Sequence, residues 1–351
     1  MKSFNPTYLK DIKLPVSTAW LVGQCMEARG KQDLWLKTRA DTLDALKDLA
    51  IIQSSESSNR IEGVTVSKDR LRPLLEGKTK PIDRPEEEVL GYRKALDWTH
   101  KHYQKVRIEP QVLLRLHSMA QGGGLSGDAG KWKTKDNEII ELYPDGNRRI
   151  RFVPTSAQET PTSMEQLCLA YRDSLDHGAL PDVLNVASFV FDFLCIHPFR
   201  DGNGRVSRLA TLLLLYQTGY LVGRYISIER IIEETKEDYY KVLEKASQGW
   251  HEGKHDIIPW WDYFLSTLRQ AYRELGERVE KGTFLGSKSQ LIEQAILGQT
   301  SSFSLTDIQS LYPSVSTQLI KKVLSKFKSE KKLKLVGRGR GAKWIRSPDK
   351  E

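Results

Sequence analysis

The segment from His197 to Arg208, HPFRDGNGRVSR, concentrates residue types that could bind phosphate and move a proton. Gly202, Asn203 and Gly204 predict a tight turn without bulky side chains at the start of a helix. Backbone N–H groups at a helix N-terminus bind anions, because the N–H groups and the helix dipole both present positive charge to the ligand. We therefore expect this turn to hold a phosphate group.

Charged residues flank the turn on both sides. Asp201 comes directly before it, and a carboxylate beside phosphates favours Mg²⁺, since hard cations bind carboxylate and phosphate oxygens. Arg205 and Arg208 lie three positions apart on the first helical turn, so both guanidinium groups are expected to reach the outer phosphates. His197 precedes the loop and, with an ordinary pKa of ~6.5, is suited to accept a proton from an incoming hydroxyl group.

Two apolar segments must position this motif. VLNVASFVFDFLCI ends at Ile196 and is apolar on nearly all sides, which predicts a fully buried helix. RLATLLLLYQTGY predicts a second buried helix that ends near Gly219. Between them, Pro198 is expected to shape the turn and Phe199 to anchor the loop in the core.

The rest of the chain is predicted to be mainly α-helical. Apolar spacing of three and four predicts helices within Ser17–Leu75, punctuated near Gly63 and Pro73, and within Glu86–Gln121. Further helices are predicted from Ser163, at Lys236–Glu244 and at Pro259–Leu275. One β-hairpin is predicted after a Gly-rich break, with the strands EIIELY and RRIRFV joined by the turn PDGN.

Composition indicates a folded protein of two or three domains. The chain has 351 residues, of which 39% are hydrophobic and 28% charged, close to typical globular usage. No apolar run reaches the roughly 20 residues that span a bilayer, and the N-terminus has no secretory signal pattern, so we expect a cytoplasmic protein without a membrane partner. The three widely spaced cysteines, Cys25, Cys168 and Cys195, are expected to be buried thiols.

Most of the net charge of +9 lies near the C-terminus. Residues 285–351 contain 13 Lys or Arg and 5 Asp or Glu, a net charge of +8. Their pattern predicts three helices followed by two short strands around GRGRG, an order that resembles a winged-helix domain. Such a basic domain binds either DNA or another protein, and the sequence leaves both open.

The motif matches the pattern His-x-Phe-x-Asp-Gly-Asn-Gly-Arg-x-x-Arg of Fic proteins at every fixed position. The stretches EEVLGYRKALDW, LHSMAQGGGLSGDAGKW and SIERIIEETKEDYYKVL also resemble this family, so the likeness runs from about Thr18 to Leu275. The resemblance implies a Fic-fold helical core that transfers AMP from ATP to a Ser, Thr or Tyr hydroxyl of a target protein and releases pyrophosphate. The intact Gly202 favours AMP transfer over phosphoryl or phosphocholine transfer.

The resemblance also implies a role for each residue of the motif. His197 corresponds to the general base and Asp201 to the magnesium ligand. The remaining residues correspond to the nucleotide site: Asn203 and the amides of Gly202 and Gly204 at the α-phosphate, Arg205 and Arg208 on the phosphate tail, and Tyr240, favoured over Tyr239, near the adenine.

A second short segment, SNRIEG, resembles the inhibitory motif of the same family. Ser58 and Glu62 are one helical turn apart, with Gly63 at the C-terminal end. The spacing alone fits an ordinary helix end with an exposed glutamate. The family resemblance implies instead that Glu62 pairs with Arg208 and prevents a productive ATP pose, or that Glu62 positions water for the removal of AMP.

Three regions are therefore expected: an N-terminal helical region (1–84) that carries the inhibitory motif, a catalytic core (85–280) and a basic C-terminal domain (285–351). The hairpin at residues 138–153 corresponds to the family's flap, along which a target protein docks. Lys133 departs from the arginine that many relatives carry before the flap. Two alternative functions stay open: a de-AMPylating or bifunctional enzyme, and a DNA-binding regulator. Assembly into a homo-oligomer also stays open.

Overall fold

A computed structural model describes residues 1–38, 40–122, 127–142, 148–280, 288–297, 302–312, 315–330, 332–337 and 343–346. The helices are α1 (Pro6–Asp11), α2 (Val16–Thr38), α3 (Ala40–Ile61), α4 (Lys68–Leu75), α5 (Arg84–His102), α6 (Pro110–Ala120), α7 (Thr160–His177), α8 (Asp182–Ile196), α9 (Asn203–Gln217), α10 (Ile228–Glu234), α11 (Lys236–Ser247), α12 (Ile258–Glu280), α13 (Lys288–Leu297), α14 (Leu305–Leu311) and α15 (Thr317–Ser329). The strands are β1 (Ile139–Leu142), β2 (Arg148–Phe152), β3 (Leu333–Val336) and β4 (Lys343–Arg346), which form two separate antiparallel pairs.

The chain divides into two compact units. The first comprises Met1–Asp33 and Ala50–Arg273, and the second comprises Leu34–Leu49 and Glu274–Glu351. The two units are defined by contacts in space, whereas the three regions expected from the sequence were defined by motifs. The boundaries near residues 84 and 285 therefore stay predictions.

The predicted helices are present, with two additions. Helix α1 was missed, although Asn5 caps its N-terminus by accepting hydrogen bonds from two backbone N–H groups and Pro6 occupies its first position. Helix α10 was missed because it is short; its N-cap is Ser227, whose side chain accepts from the Arg230 N–H. Pro73 lies inside α4, which ends two residues later.

Helices α8 and α9 form the buried centre of the first unit, as predicted. Every residue of α8 after Asp182 is buried, and α9 is buried along nearly all of its length. Helix α8 packs against α7 and α9, while α9 also packs against α5 and α6. Because both helices are enclosed, the turn that joins them has little freedom to move.

The predicted hairpin is present as β1 and β2, and its turn lies outside the described residues. The strands pair antiparallel, with Ile140 opposite Ile150 and Leu142 opposite Arg148. Ile140 and Ile150 are both exposed, by 41% and 49% respectively. The hairpin therefore presents an apolar pair to solvent.

The C-terminal part of the second unit has its own core. Three helices and two strands follow in the predicted order, and the isoleucine, leucine and phenylalanine side chains of α13, α14 and α15 pack together with Leu333. An unpredicted bridge joins Phe303 to Trp344, so β4 pairs on both sides. The winged-helix assignment, the GRGRG turn, which is described only at Gly337, and DNA binding stay predictions.

Two compositional expectations concern burial and membranes. Cys25, Cys168 and Cys195 are all buried free thiols, as predicted, and burial raises the pKa of Cys25 and Cys168 to about 12. Among the described residues, no helix is both long and apolar enough to cross a bilayer.

One buried acid anchors the N-terminus of the chain to α8. The Asp192 carboxylate is fully enclosed and accepts hydrogen bonds from Ser3 Oγ at 2.6 Å, Ser3 N at 3.1 Å and Trp250 Nε1 at 2.7 Å. Burial raises the pKa of Asp192 to about 6, although these hydrogen bonds act in the opposite direction. Asp192 thus ties two distant segments to the helix that leads into His197.

We predict that Asp192→Ala lowers the free energy of unfolding by about 3 kcal/mol, because it leaves buried donors on Ser3 and Trp250 without an acceptor. Asp182→Ala is the control on the same helix, since Asp182 lies at the surface in an ion pair with Arg29 and its loss should cost at most about 1 kcal/mol. Urea unfolding measures both values. Equal losses in the two variants would contradict the anchoring role of Asp192.

Candidate active site

The predicted catalytic loop joins α8 to α9. His197 is the C-cap of α8 and adopts a left-handed conformation with φ of 51°, and Gly202, the N-cap of α9, has φ of 81°. Among the described residues, His197 alone has a positive φ without being glycine. Phe199 is buried and stacks on His117 with a ring-centroid distance of 3.8 Å, so it anchors the loop as expected.

The side chain of Asn203 closes the loop on itself. Its Oδ1 accepts from Phe199 N at 2.9 Å, and its Nδ2 donates to Phe199 O at 2.7 Å. Both polar ends are therefore engaged within the loop. A contact between Asn203 and an α-phosphate, which the sequence predicted, could use its main-chain N–H or the second N–H of Nδ2.

The imidazole of His197 has a defined orientation. Nδ1 lies 3.2 Å from the carbonyl oxygen of Leu194, so Nδ1 carries the proton and Nε2 keeps its lone pair. Burial lowers the pKa of His197 to about 4, the Lys133 ammonium acts in the same direction, and Glu62 and Asp201 oppose both. The ring is therefore neutral near pH 7, as a base must be.

Arg205 is buried in a ring of alternating charges. Its Nη1 lies 2.8 Å from Glu88 Oε2 and its Nη2 lies 3.7 Å from Asp201 Oδ2. Arg84 closes the ring, at 2.7 Å from Glu88 and 2.9 Å from Asp201. Since the Arg205 guanidinium is only 1% exposed, this arrangement compensates a charge that would otherwise be costly to bury.

Arg208 contacts the segment that resembles the inhibitory motif. Its Nε donates to Ser58 Oγ at 2.8 Å, and its Nη2 donates to Ser58 O at 2.8 Å and to Glu62 Oε1 at 2.7 Å. Gly63, with φ of 81°, ends the turn after α3. The pairing implied by the sequence is thus present as a contact, whereas its inhibitory role stays a prediction.

The Glu62 carboxylate lies over the first turn of α9. A Cβ atom placed on Gly204 would come within 2.0 Å of Glu62 Oε1, so only glycine allows this approach. The carboxylate therefore lies beside the first turn of α9, close to where the sequence predicts a phosphate. An anion at this position is stabilised by the helix dipole.

A cavity of about 120 Å³ opens beside these groups. It is mostly apolar and is lined by His197, Glu62, Gly204, Tyr240 and residues of the hairpin. Arg151 of β2 lies over the Tyr240 ring and donates to Tyr240 O at 3.0 Å. Tyr239 lines the same cavity and also packs against Trp260 and Tyr263. The preference for Tyr240 as a nucleotide contact therefore stays a prediction.

Asp201 is the candidate metal ligand. Its Oδ1 accepts from Gly202 N at 2.7 Å, while Oδ2 faces Arg84, and its side chain is 58% exposed. Among the described residues there is no group of three His, Cys, Asp or Glu side chains that could hold a metal alone. A single exposed carboxylate fits Mg²⁺ when phosphate oxygens and water complete the coordination.

Sequence reasoning missed the residues that support the loop from behind. Glu88 and Arg84 carry the helical i, i+4 spacing of an ion pair, but nothing in the sequence links them to Arg205. His117 Nε2 donates to Asp201 O at 3.0 Å and its Nδ1 accepts from Gly130 N at 3.0 Å. Burial lowers the pKa of His117 to about 4, which keeps this bridge neutral.

Comparison with known proteins agrees with this geometry. Residues 107–215, which contain the loop and both central helices, match the model of the Fic/DOC family. This part of the chain is therefore similar to a Fic domain. The mainly helical fold with a small hairpin, expected from the resemblance, is confirmed.

Two curated relatives carry the name Protein adenylyltransferase Fic. The protein of Nematostella vectensis is 25% identical over 216 residues, which cover 58% of this chain and 45% of the relative. The protein of Drosophila persimilis is 27% identical over 244 residues, which cover 65% of this chain and 44% of the relative. Each match therefore spans less than half of the relative's own length.

Solved structures share the fold of the Fic domain. A Fic family protein from Desulfovibrio desulfuricans G20 superposes with a TM-score of 0.60 and 20% identity, over 97% of this chain and 98% of that one. A Fic domain containing signaling protein from Bacteroides thetaiotaomicron VPI-5482 has a TM-score of 0.64 and 22% identity, over 76% and 99%. The likeness to the first structure covers nearly the whole chain.

We predict that Glu88→Gln lowers the free energy of unfolding by about 3 kcal/mol, because Arg205 then loses its closest buried anion. Glu87→Gln is the matched control, since it makes the same change one position earlier on α5 at a partly exposed site. Chemical unfolding compares the two variants. A stability of Glu88→Gln equal to that of the control would show that Asp201 alone compensates Arg205.

Proposed function

We propose that this chain is a protein adenylyltransferase that transfers AMP from ATP to a Ser, Thr or Tyr hydroxyl group. The observation that carries the proposal is a set of buried guanidinium donors beside the N-terminus of α9. Among the described residues, Arg205 Nε and Arg208 Nη1 are buried without a hydrogen-bond partner, while Arg205 Nη1 is already paired with Glu88 Oε2 at 2.8 Å. Buried donors are almost always satisfied, so this set supports an anionic ligand such as the phosphates of ATP.

The chemical step needs a base and a held phosphate. In the proposed reaction the hydroxyl oxygen attacks the α-phosphorus, the bond to the bridging oxygen of the β-phosphate breaks, and pyrophosphate leaves. His197 Nε2 accepts the hydroxyl proton, since its lone pair is free and Nδ1 is held by Leu194 O. The negative charge of a bound triphosphate favours the protonated imidazole, so binding of ATP makes His197 a stronger base.

The phosphates and a metal ion would share the loop. Asp201, with its exposed carboxylate, would hold Mg²⁺, whose charge would offset that of the phosphates. Arg84 now contacts the same carboxylate oxygen at 2.9 Å and would have to move aside. The backbone N–H groups of the first turn of α9 and the two buried arginines would bind the phosphate oxygens.

We further propose that Glu62 inhibits this reaction within the same chain. Its carboxylate, 30% exposed, takes one donor of Arg208 and lies over Gly204. A phosphate that approaches the first turn of α9 meets this negative charge and loses that donor. Displacement of Glu62 would restore both the space and the hydrogen bond.

The hairpin is the proposed docking surface for the target protein, over residues 138–153. Ile140 and Ile150 face each other across β1 and β2 and are both exposed, and Val153 is 53% exposed. An extended target segment could add to a strand edge of this two-stranded sheet and cover the apolar pair. Its hydroxyl side chain would then lie close to the cavity that His197 lines.

Removal of AMP is a second candidate, favoured by one observation. Glu62 and His197 line the same cavity, so a carboxylate and an imidazole both face the space where an AMP-modified side chain would lie. The carboxylate would orient a water molecule, and the two activities would use the same pocket.

We predict that His197→Ala abolishes AMP transfer while ATP still binds, because the base acts on the hydroxyl group and not on the nucleotide. Transfer of labelled AMP onto the chain itself and onto lysate proteins measures the reaction, and calorimetry measures ATP binding. His177→Ala is the control, since His177 lies at the exposed end of α7. Transfer at the unaltered rate in His197→Ala would exclude this residue as the base.

We predict that Glu62→Gly raises AMP transfer by about ten- to a hundredfold, since a charge-assisted hydrogen bond of Arg208 worth about 1.5–3 kcal/mol becomes available to ATP. Arg208→Ala should lower transfer and cancel most of the gain in the double variant, as coupled residues do. Glu56→Gln, on the same helix α3, is the control with no expected effect.

Rates of all four combinations at residues 62 and 208 test the coupling. Equal activation by Glu62→Gly with and without Arg208 would contradict the inhibitory pair. If the chain also removes AMP, Glu62→Gly should have the opposite effect on that activity. The rate of AMP release from a modified protein should fall, because Glu62 no longer orients the water molecule.

A further inference from the structure

The left-handed conformation of His197 needs an explanation. A non-glycine residue at positive φ is strained and persists only where its surroundings hold it. Within α8, Phe193 O accepts from His197 N at 2.9 Å and Leu194 O accepts from the ring at 3.2 Å. These two bonds hold the residue from the helix side only, so the following backbone must be held by other groups.

The segment from Lys133 to Asn137 supplies that second support. Lys133 N donates to Pro198 O at 2.9 Å, and Lys133 Nζ donates to Ile196 O at 3.2 Å. Asn137 Nδ2 donates to Phe199 O at 3.1 Å and its Oδ1 accepts from Lys133 Nζ at 2.8 Å. The carbonyl groups directly before and after His197 are thus both held by one residue, Lys133.

The burial of Lys133 makes this use of a lysine unusual. The residue is only 5% exposed, and both acceptors of its ammonium group are neutral. Burial lowers the pKa of Lys133 to about 8, while Asp136 opposes the shift. A buried cation without an anionic partner is costly, and an apolar side chain would fill the same space without that cost.

We propose that Lys133, supported by Asn137, is a positioning residue for the AMP transfer proposed above: it clamps the backbone on both sides of His197 and fixes the direction of the imidazole. The ammonium group also acts on the ring through space. Burial lowers the pKa of His197 and the hydrogen bond with Leu194 O raises it; among the neighbouring charges, Lys133 lowers it while Glu62 and Asp201 raise it. The proposal rests on the proposed function only for its kinetic consequence.

The test compares Lys133→Met, Lys133→Arg and Asn137→Ala with a control, Lys131→Met. Lys131 is an exposed lysine two residues before Lys133. The kinetic arm uses the Glu62→Gly background, with Mg·ATP and the chain's own modification as the reaction. We expect Lys133→Met to lower kcat by about tenfold or more with little change in KM for ATP, since misdirection of the base affects the chemical step. Lys133→Arg should retain most of kcat, and Asn137→Ala should lie between them.

The second arm does not depend on activity. The His197 ring is titrated by NMR in chains with labelled histidine, and the His197→Ala spectrum assigns its signal among the seven histidines. Lys133→Met should move the His197 signal and raise its titration midpoint, because a nearby cation is lost. Lys133→Arg and Lys131→Met should keep the midpoint.

The two arms separate the possible failures. Unchanged kcat together with an unchanged His197 titration in Lys133→Met would overturn the clamp. Absence of AMP transfer even in the Glu62→Gly background would refute the proposed function, and the titration would then decide the clamp alone. Should Lys133→Met fold poorly by near-ultraviolet circular dichroism, Asn137→Ala, which leaves the ammonium in place, decides the point by kcat.

Discussion

The burial of two arginines on the first two turns of α9 is the constraint on which the rest of the site depends. Arg205 and Arg208 are 1% and 4% exposed at their side chains, in a helix that is buried along nearly all of its length. A buried guanidinium without compensation is too costly to keep, so other elements must bring acids to it. Helix α5 supplies Glu88, and the end of α3 supplies Glu62. The packing of these helices around α9 is therefore an electrostatic requirement as well as an apolar one.

The two arginines are compensated in different ways. Arg205 lies in a closed ring with Glu88, Asp201 and Arg84, and its closest acid is almost fully buried. Arg208 depends on Ser58 and on a glutamate that is 30% exposed and follows the last residue of its helix. The acid closest to Arg205 is almost fully enclosed, whereas the acid paired with Arg208 is partly exposed to solvent. This difference supports the proposal that another anion can replace Glu62 at Arg208.

The sequence predicted most of the fold and the centre of the site because those parts depend on local patterns. The apolar helices α8 and α9 are visible in composition, and the turn between them is visible in its glycines. Long-range partners carry no such pattern, which is why Glu88, His117 and the clamp at Lys133 were missed. The Asn203 side chain bonds both backbone groups of Phe199, which the sequence did not predict, because a tight turn must satisfy its own backbone groups. Its contact with a phosphate stays a prediction. The Phe303–Trp344 bridge was missed because a single bridging residue pair leaves no alternating apolar pattern in the sequence.

The position of Glu62 has a consequence for how inhibition could be released. Glu62 follows Ile61, the last residue of α3. The helix end is closed by backbone hydrogen bonds from Glu62 N and Val64 N to Asn59 O and from Gly63 N to Arg60 O. Helix ends open locally at a small fraction of the free energy of global unfolding. If Glu62 inhibits as proposed, access of ATP is governed by the fraying of one helical turn. A partner that pulls on or shields that turn would then set the activity while the folded core stays unchanged.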